Sequence, residues 1–257
     1  MDIQQQKQYN VLLIGDSCQD VYHFGTCDRI SLEAPVPILK EKYTESRAGM
    51  AGNVKSNLES FGINIDFFTN KKQIKKHRFI DIKTNAHLLR VDEGEIKKLR
   101  SFAADIDKKS YDAVVLSDYD KGFLSPQACE ELTHKFYNLP VFIDSKKKDL
   151  SCFHKSIIKL NEQEYRKSNH GCSNSEIIVT MGSDGAMYKG KKFPTTKIDV
   201  HDVCGAGDVF LASLVFGFLK TKDLEKAIVY ANKLASLSVT KFGTYVLTKE
   251  EISDICV

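Results

Sequence analysis

Short apolar runs rich in β-branched residues alternate along this chain with longer stretches of helical periodicity. That pattern predicts a parallel sheet linked by crossover helices. Residues 11–14 (VLLI) run into Gly15-Asp16 and predict a buried first strand. Residues 36–43 (VPILKEKY) carry a proline and alternate in polarity, which predicts a strand with an exposed face or edge. Over 53–61, Val54, Leu58 and Phe61 share one helical face. Residues 65–68 and 87–91 predict two more short strands.

The second half is spaced more regularly. A helix is predicted over 95–106, then a buried strand over 113–116 (AVVL) that ends at Ser117-Asp118. Ser125 is placed to cap a helix with Pro126 at its first position, running to Phe136. Strands follow over 141–143, ending at Asp144, and over 157–160, ending at Asn161. A further strand over 177–180 (IIVT) ends at the turn Met181-Gly182-Ser183-Asp184-Gly185. Strands therefore stop repeatedly at a polar residue or a glycine turn, and in open α/β sheets ligands bind at that carboxyl edge.

Composition narrows the function classes. A chain of 257 residues favours one large α/β domain, and 42% apolar with 28% charged residues excludes a disordered or fibrous chain. Lys and Arg number 37 against 34 Asp and Glu, and this net +3 is too small to argue for nucleic acid but suits a small anionic substrate. No apolar run approaches the roughly 18 residues of a membrane span, and MDIQQQKQYN lacks the apolar stretch of a secretory signal. A soluble, cytoplasmic protein is expected. The seven cysteines (Cys18, Cys27, Cys129, Cys152, Cys172, Cys204 and Cys256) are scattered, without a C-x-x-C pair. That spacing argues for reduced, mostly buried thiols rather than disulfides or structural zinc. The seven histidines show no metal-ligand spacing. Residues 71–78 (KKQIKKHR) read as a solvated loop, with steering of a phosphorylated ligand as the alternative.

The strongest local chemistry is Asp202-Val203-Cys204-Gly205-Ala206-Gly207-Asp208, followed by an almost wholly apolar run over 209–219 that predicts a buried helix. Glycines at its first turn let backbone N–H groups approach a ligand closely, and a helix N-terminus favours negative charge. Gly205, Ala206 and Gly207 thus form a candidate anion hole. Asp208 is a costly residue at the start of a buried helix. It is placed either to cap that helix or to take a proton from a substrate hydroxyl.

The 202–208 segment resembles the C-terminal signature of the ribokinase-like (PfkB) sugar kinases. Gly49-Met50-Ala51-Gly52-Asn53-Val54 resembles that family's glycine-rich substrate motif, Asn161-Glu162-Gln163-Glu164 its N-x-x-E element, and 180–185 its T-x-G-x-x-G nucleotide turn. A narrower likeness, to the heptose-7-phosphate kinases, lies in Gly15-Asp16 with Asp20 and in the 28–37 stretch (DRISLEAPVP). Residues 89–92 (LRVD), 116–122 (LSDYDKG), 144–146 (DSK) and 241–244 (KFGT) share it.

The resemblance implies an α/β, ribokinase-like three-layer sandwich: one kinase domain over 1–257, with a central mostly parallel sheet and a small β lid formed by 20–43 and 77–91. It implies transfer of the ATP γ-phosphate to a sugar hydroxyl, closest to the anomeric hydroxyl of a heptose 7-phosphate. Asp208 would be the general base, with 205–207 as the anion hole. Asp16, Asp20, Gly49 and Asn53 would hold sugar hydroxyls, with Arg90 and Lys146 on a phosphate already present. Asn161, Glu162, Gln163, Glu164, Thr180, Gly182, Gly185 and Asn232 would serve ATP, and Glu164 would meet Mg²⁺ through water. No nucleic acid or membrane partner is implied, and a homodimer through the lid is expected. A kinase for another sugar or nucleoside, or a catalytically silent binding module, are the rival readings. The signature departs from the family at Val203 and Cys204, where threonines are usual, and at Met50 in place of a glycine. The interval 62–90 is also shorter than the family's.

Overall fold

The computed structural model describes residues 7–94, 106, 110–172 and 174–255. Its main sheet begins with β1 (Asn10–Gly15), β4 (Asn64–Thr69), β7 (Ala113–Asp118), β8 (Val141–Ser145), β9 (Ile157–Asn161) and β10 (Glu176–Thr180), all parallel. The hairpin β11 (Ala186–Tyr188) and β12 (Lys191–Phe193) adds an antiparallel edge, giving the order β12-β11-β10-β9-β8-β7-β1-β4.

Helices cover both faces, as continuous apolar strands require. On one face Val11, Leu13, Val115 and Phe142 pack with α1 (Ala51–Ser60), α4 (Ala206–Thr221) and α5 (Leu224–Ser238). On the other, Leu12, Ile14, Leu116 and Ile143 pack with α2 (Pro126–Lys135). Ser125 caps α2 as expected, its hydroxyl accepting from the Ala128 amide at 3.1 Å. The short helices α3 (Glu162–Lys167) and α6 (Lys249–Ser253) both begin in capping boxes. The helix expected over 95–106 falls almost wholly outside the described residues, as does Cys256.

A second, four-stranded sheet runs β3-β2-β5-β6, from β2 (Ser17–Ile30), β3 (Pro37–Met50), β5 (Lys75–Asp81) and β6 (Ala86–Glu93). Two of its features correct the sequence reading. The basic stretch expected as a solvated loop contributes β5, whose alternation buries Lys76, Arg78 and Ile80. The predicted 36–43 strand is part of a 14-residue strand running to Met50, paired with β2.

This sheet is joined to the body with almost no linker. Only Asp16 separates β1 from β2, β3 runs directly into α1, and the Ala51 amide donates to the Asp16 carbonyl at 2.9 Å. The sheet also rests on the 242–244 segment, where the Thr244 amide donates to the Tyr22 hydroxyl at 2.9 Å. Among the described residues no helix is long and apolar enough to cross a membrane, and all six described cysteines are free, three of them buried.

Candidate active site

The carboxyl ends of β1, β7, β8 and β9 meet the amino end of α4 beneath the second sheet. Gly205, at φ +78°, is the helix's N-cap and brings no side-chain cap. Asp208 lies one turn in, 2% exposed, so the capping reading of Asp208 gives way to another arrangement. Its Oδ2 accepts from the Asn53 side-chain amide at 3.0 Å, and its Oδ1 accepts from the Tyr119 hydroxyl at 2.7 Å. Burial raises this carboxyl to about 6, with Asp144 adding to the rise, while the two hydrogen bonds and Lys159 oppose it.

The turn itself is partly committed. The Ala206 amide donates to the Val203 carbonyl at 3.3 Å, and the Asp208 amide to the Gly205 carbonyl at 3.0 Å. The amides of Gly205 and Gly207 have no protein acceptor among the described residues, so the anion-hole candidates reduce to those two. Both glycines are closely hemmed in, and Gly205 also takes a left-handed φ. A Cβ on Gly205 would lie 2.7 Å from Asn53 Nδ2, and one on Gly207 would lie 2.8 Å from Lys159 Nζ. Asp202 shapes the approach by accepting from the Cys204 and Gly243 amides, each at 2.9 Å.

Against Gly207 stands a chain of charges, buried at Lys159 and Asp144 and partly buried at Lys146 and Glu164. Lys159 Nζ donates to Asp144 Oδ2 at 2.6 Å, Lys146 Nζ to Asp144 Oδ1 at 3.0 Å, and Lys146 meets Glu164 Oε1 at 2.6 Å. These cations outweigh burial and hold Asp144 down at about 2. Lys146 therefore sits at the glycine-turn side, among carboxylates, rather than free toward the second sheet. Arg90 is likewise engaged, bidentate on Asp92 at 2.6 Å.

Asp16 departs from its expected place. It has no solvent exposure, and its oxygens accept from the amides of Tyr119, Lys121 and Phe123 at 2.9, 3.2 and 3.2 Å. Its carboxylate shapes the loop that carries Tyr119 instead of facing a ligand. Asp20 does face the space between the sheets. It is ion-paired with Arg78 and packs so closely on Gly49 that a Cβ there would lie 2.1 Å from its Oδ2. Met50, in the glycine-rich motif, is buried at φ +57°, ψ −133°, a conformation glycine adopts freely and methionine only under strain.

On the other side of the glycine turn lies a cavity of 460 Å³, within the range of small-molecule sites. Thr180, Gly182, Gly185, Ala206, Gly207 and Asn232 line it, together with apolar Val203, Phe210 and Val239. Asn232 spends its amide on the Phe193 carbonyl at 2.7 Å. Asn161 caps α3 by accepting from the Glu164 amide at 2.8 Å, and Glu164 Oε2 accepts in return from the Asn161 amide at 2.8 Å. Glu162 pairs with Arg166 at the surface, and with Gln163 it borders a neighbouring hollow that also touches Thr180 and Gly182.

Four further residues belong to this arrangement: Tyr119 and Lys159, to which the sequence reading gave no role, and Lys76 and Arg78, which it placed in the basic 71–78 stretch with ligand steering only as the alternative. Tyr119 lies in the LSDYDKG stretch, and Lys76 and Arg78 in an alternating KKHRFI pattern, so a signal existed for each. Lys159 stands two residues before Asn161 on a strand otherwise read as apolar. One histidine cluster also escaped the spacing argument: Glu130, His134 and His154 bring ligand atoms within 4.8 Å of one another. His154 precedes the amino end of β9, at the opposite edge of the sheet from Asp208.

A buried carboxylate beside a glycine turn, at the switch between a parallel sheet and a covering sheet, places the molecule in the ribokinase fold. Ribokinase from Thermotoga maritima matches at a TM-score of 0.68, with 16% identity, covering 96% of this chain and 98% of that one. Phosphofructokinase-2 from Escherichia coli matches at 0.73, with 12% identity, 96% of this chain and 97% of that one. Residues 146–251 match the sequence model described as pfkB family carbohydrate kinase. Relatives include the "Bifunctional protein HldE" of a Nitratiruptor species, 31% identical over 95% of this chain and 64% of the relative. The protein of the same name from Helicobacter acinonychis (strain Sheeba) is 32% identical over 95% of this chain and 65% of the relative. The chain thus spans less than two thirds of the length of these relatives.

Proposed function

We propose that this chain transfers the γ-phosphoryl group of ATP to the anomeric hydroxyl of a heptose 7-phosphate. The observation that carries the reading is Asp208. It is a buried carboxylate raised to about 6, held by two hydrogen bonds, directly after two glycines with uncommitted amides. At neutral pH it remains mostly ionised, yet it is basic enough to accept a hydroxyl proton as the oxygen attacks. The Gly205 and Gly207 amides, at a helix N-terminus, suit the charge of the transferring group.

The cavity lined by Thr180, Gly182, Gly185 and Asn232 is the place for ATP, its phosphates directed at Gly207. Residues Asn161, Glu162, Gln163 and Glu164 border its outer end. Magnesium fits the oxygen donors Asp144 and Glu164. Both are engaged by lysines, so the ion would be held through water and would neutralise charge on the phosphates.

The acceptor would lie between Asp20, Asn53 and the inner face of the second sheet. Cross-strand register puts Arg47, Lys76, Arg78 and Arg90 on that face, against the acids Asp20, Glu45 and Asp92. Four cations among three carboxylates suit an acceptor that already carries a phosphate. The 28–37 stretch shared with the heptose-7-phosphate kinases and the HldE relatives support the same acceptor. The second sheet would act as a lid that excludes water from the transferring phosphoryl group.

A coupled ADP-release assay over phosphorylated heptoses, free sugars and nucleosides tests the reading. Turnover requiring the 7-phosphate is the expected result. Turnover only on free sugars or nucleosides overturns the acceptor, and ligand binding without any turnover overturns the kinase.

A further inference from the structure

Tyr119 is the residue at this site whose placement the proposed reaction does not yet explain. Its backbone amide is fixed by Asp16 at 2.9 Å, and its hydroxyl reaches Asp208 Oδ1 at 2.7 Å. Two ammonium groups approach its ring: Lys76 of β5 at 5.3 Å from the centroid and Lys146, just after β8, at 5.1 Å. Burial and the neighbouring carboxylates Asp208 and Asp144 push its phenol well above its ordinary range, so it stays a proton donor across the working pH. Lys76 has no hydrogen-bond or ion-pair partner among the described residues, although the residue is 8% exposed. The aromatic face is then its principal stabilising contact there.

We propose that Tyr119 is a positioning residue for the base, a role that rests on the kinase reading above. Its hydroxyl fixes the rotation of the Asp208 carboxylate and keeps it ionised, leaving the remaining lone pairs directed at the acceptor. Two donors on separate elements make the orientation unambiguous: Asn53 from α1 holds one oxygen, and Tyr119 from the loop after β7 holds the other. The remaining titratable and charged groups near the pair are Asp16 after β1, whose carboxyl burial raises, Cys18 on β2, Lys76 on β5, Asp144 on β8, Lys146 just after it, and Lys159 on β9. Asp144 and Glu164 raise Lys146 above its ordinary range, the lysines beside Asp144 hold its carboxyl down at about 2, and burial raises Cys18 to about 12. None of them replaces the hydrogen bond that Tyr119 supplies.

The test compares wild type with Tyr119→Phe, which keeps the ring and removes only the donor. Removing a hydrogen bond to the charged form raises a carboxyl pKa. The acid limb of kcat/KM in Tyr119→Phe is therefore expected to move upward by about one pH unit, the scale of one hydrogen bond to a charged group. The KM for ATP should stay unchanged. A ¹³C titration of the Asp208 carboxyl in the unliganded protein should move by the same amount. Tyr119→Leu, which also removes the ring, should show the same displacement with a lower plateau. If the leucine variant does not fold, the phenylalanine variant still decides.

An acid limb and a carboxyl titration that coincide with wild type would reduce Tyr119 to a packing residue. Wild type without turnover on any acceptor would remove the kinase reading instead, and the ¹³C titration would still report whether Tyr119 governs Asp208.

Discussion

Asp208→Asn separates a catalytic carboxylate from a structural one, because the two roles predict opposite signs for stability. The native carboxyl titrates at about 6 against an ordinary 3.8, roughly two pH units, which corresponds to about 3 kcal/mol. Below pH 3.8 the group is neutral in folded and unfolded chains, and the effect vanishes. Between 3.8 and 6 the unfolded chain ionises first and stability falls. Above 6 the whole loss of about 3 kcal/mol is present. Asparagine is free of that cost. Its amide must face either the Asn53 amide or the Tyr119 hydroxyl, and the hydroxyl can rotate to accept, so the substitution sacrifices about 1 kcal/mol of hydrogen bonding. The variant should therefore be about 1–2 kcal/mol more stable than wild type at pH 8, with the gain gone near pH 4. Phosphoryl transfer should drop by about 10²–10⁴-fold. Urea unfolding at both pH values, beside the ADP-release assay, reads both quantities. A variant that turns over normally and is less stable at pH 8 would refute the reasoning.

Other perturbations probe the surroundings of the base. Lys159→Met leaves buried Asp144 with Lys146 alone and should cost about 3–5 kcal/mol at neutral pH in urea unfolding. Because Asp144 is depressed to about 2, that contribution is complete above the ordinary carboxylate range and is lost as pH falls through 2. Gly207→Ala puts a methyl 2.8 Å from Lys159 Nζ. The residue keeps its backbone N–H, but moving that donor off its aim should lower kcat by up to about 10²-fold, the scale of one anion-hole donor, while calorimetric acceptor binding persists. Gly49→Ala drives a methyl into Asp20 and should raise the acceptor KM about tenfold or more, with the KM for ATP unaltered.

Elements were legible wherever apolar periodicity was the folding force. The strands ending at Gly15, Asp118, Ser145, Asn161 and Thr180 follow from buried β-branched runs, and α4 follows from its continuous apolarity. The second sheet was harder to read because its inner face is polar. Asp20, Lys76 and Arg78 occupy positions that hydrophobic alternation would fill with aliphatic residues, so β2 and β5 gave no ordinary strand pattern. Site residues divide in the same way. Asp208 and Gly207 could be inferred because an acid and glycines at a buried helix start are locally anomalous. The inward turn of Asp16 could not, since it depends on amides more than 100 residues away. The commitment of Lys146 to Glu164 and Asp144 likewise arises only when the ends of β8 and β9 come side by side.

The near-absence of linker between the two sheets has a mechanical consequence. With Asp16 and Ala51 bonded side by side, the covering sheet joins the body along a short line at its root, and beyond that line it rests on the 242–244 segment. Fourteen residues of β2 extend from that line, about 45 Å at the usual rise per residue. A swing of about 10° at the root would carry the far tip through about 8 Å, yet displace Asp20 by only about 2 Å. Leverage of this kind lets the outer end open wide for an arriving molecule while the residues nearest Asp208 remain almost in register.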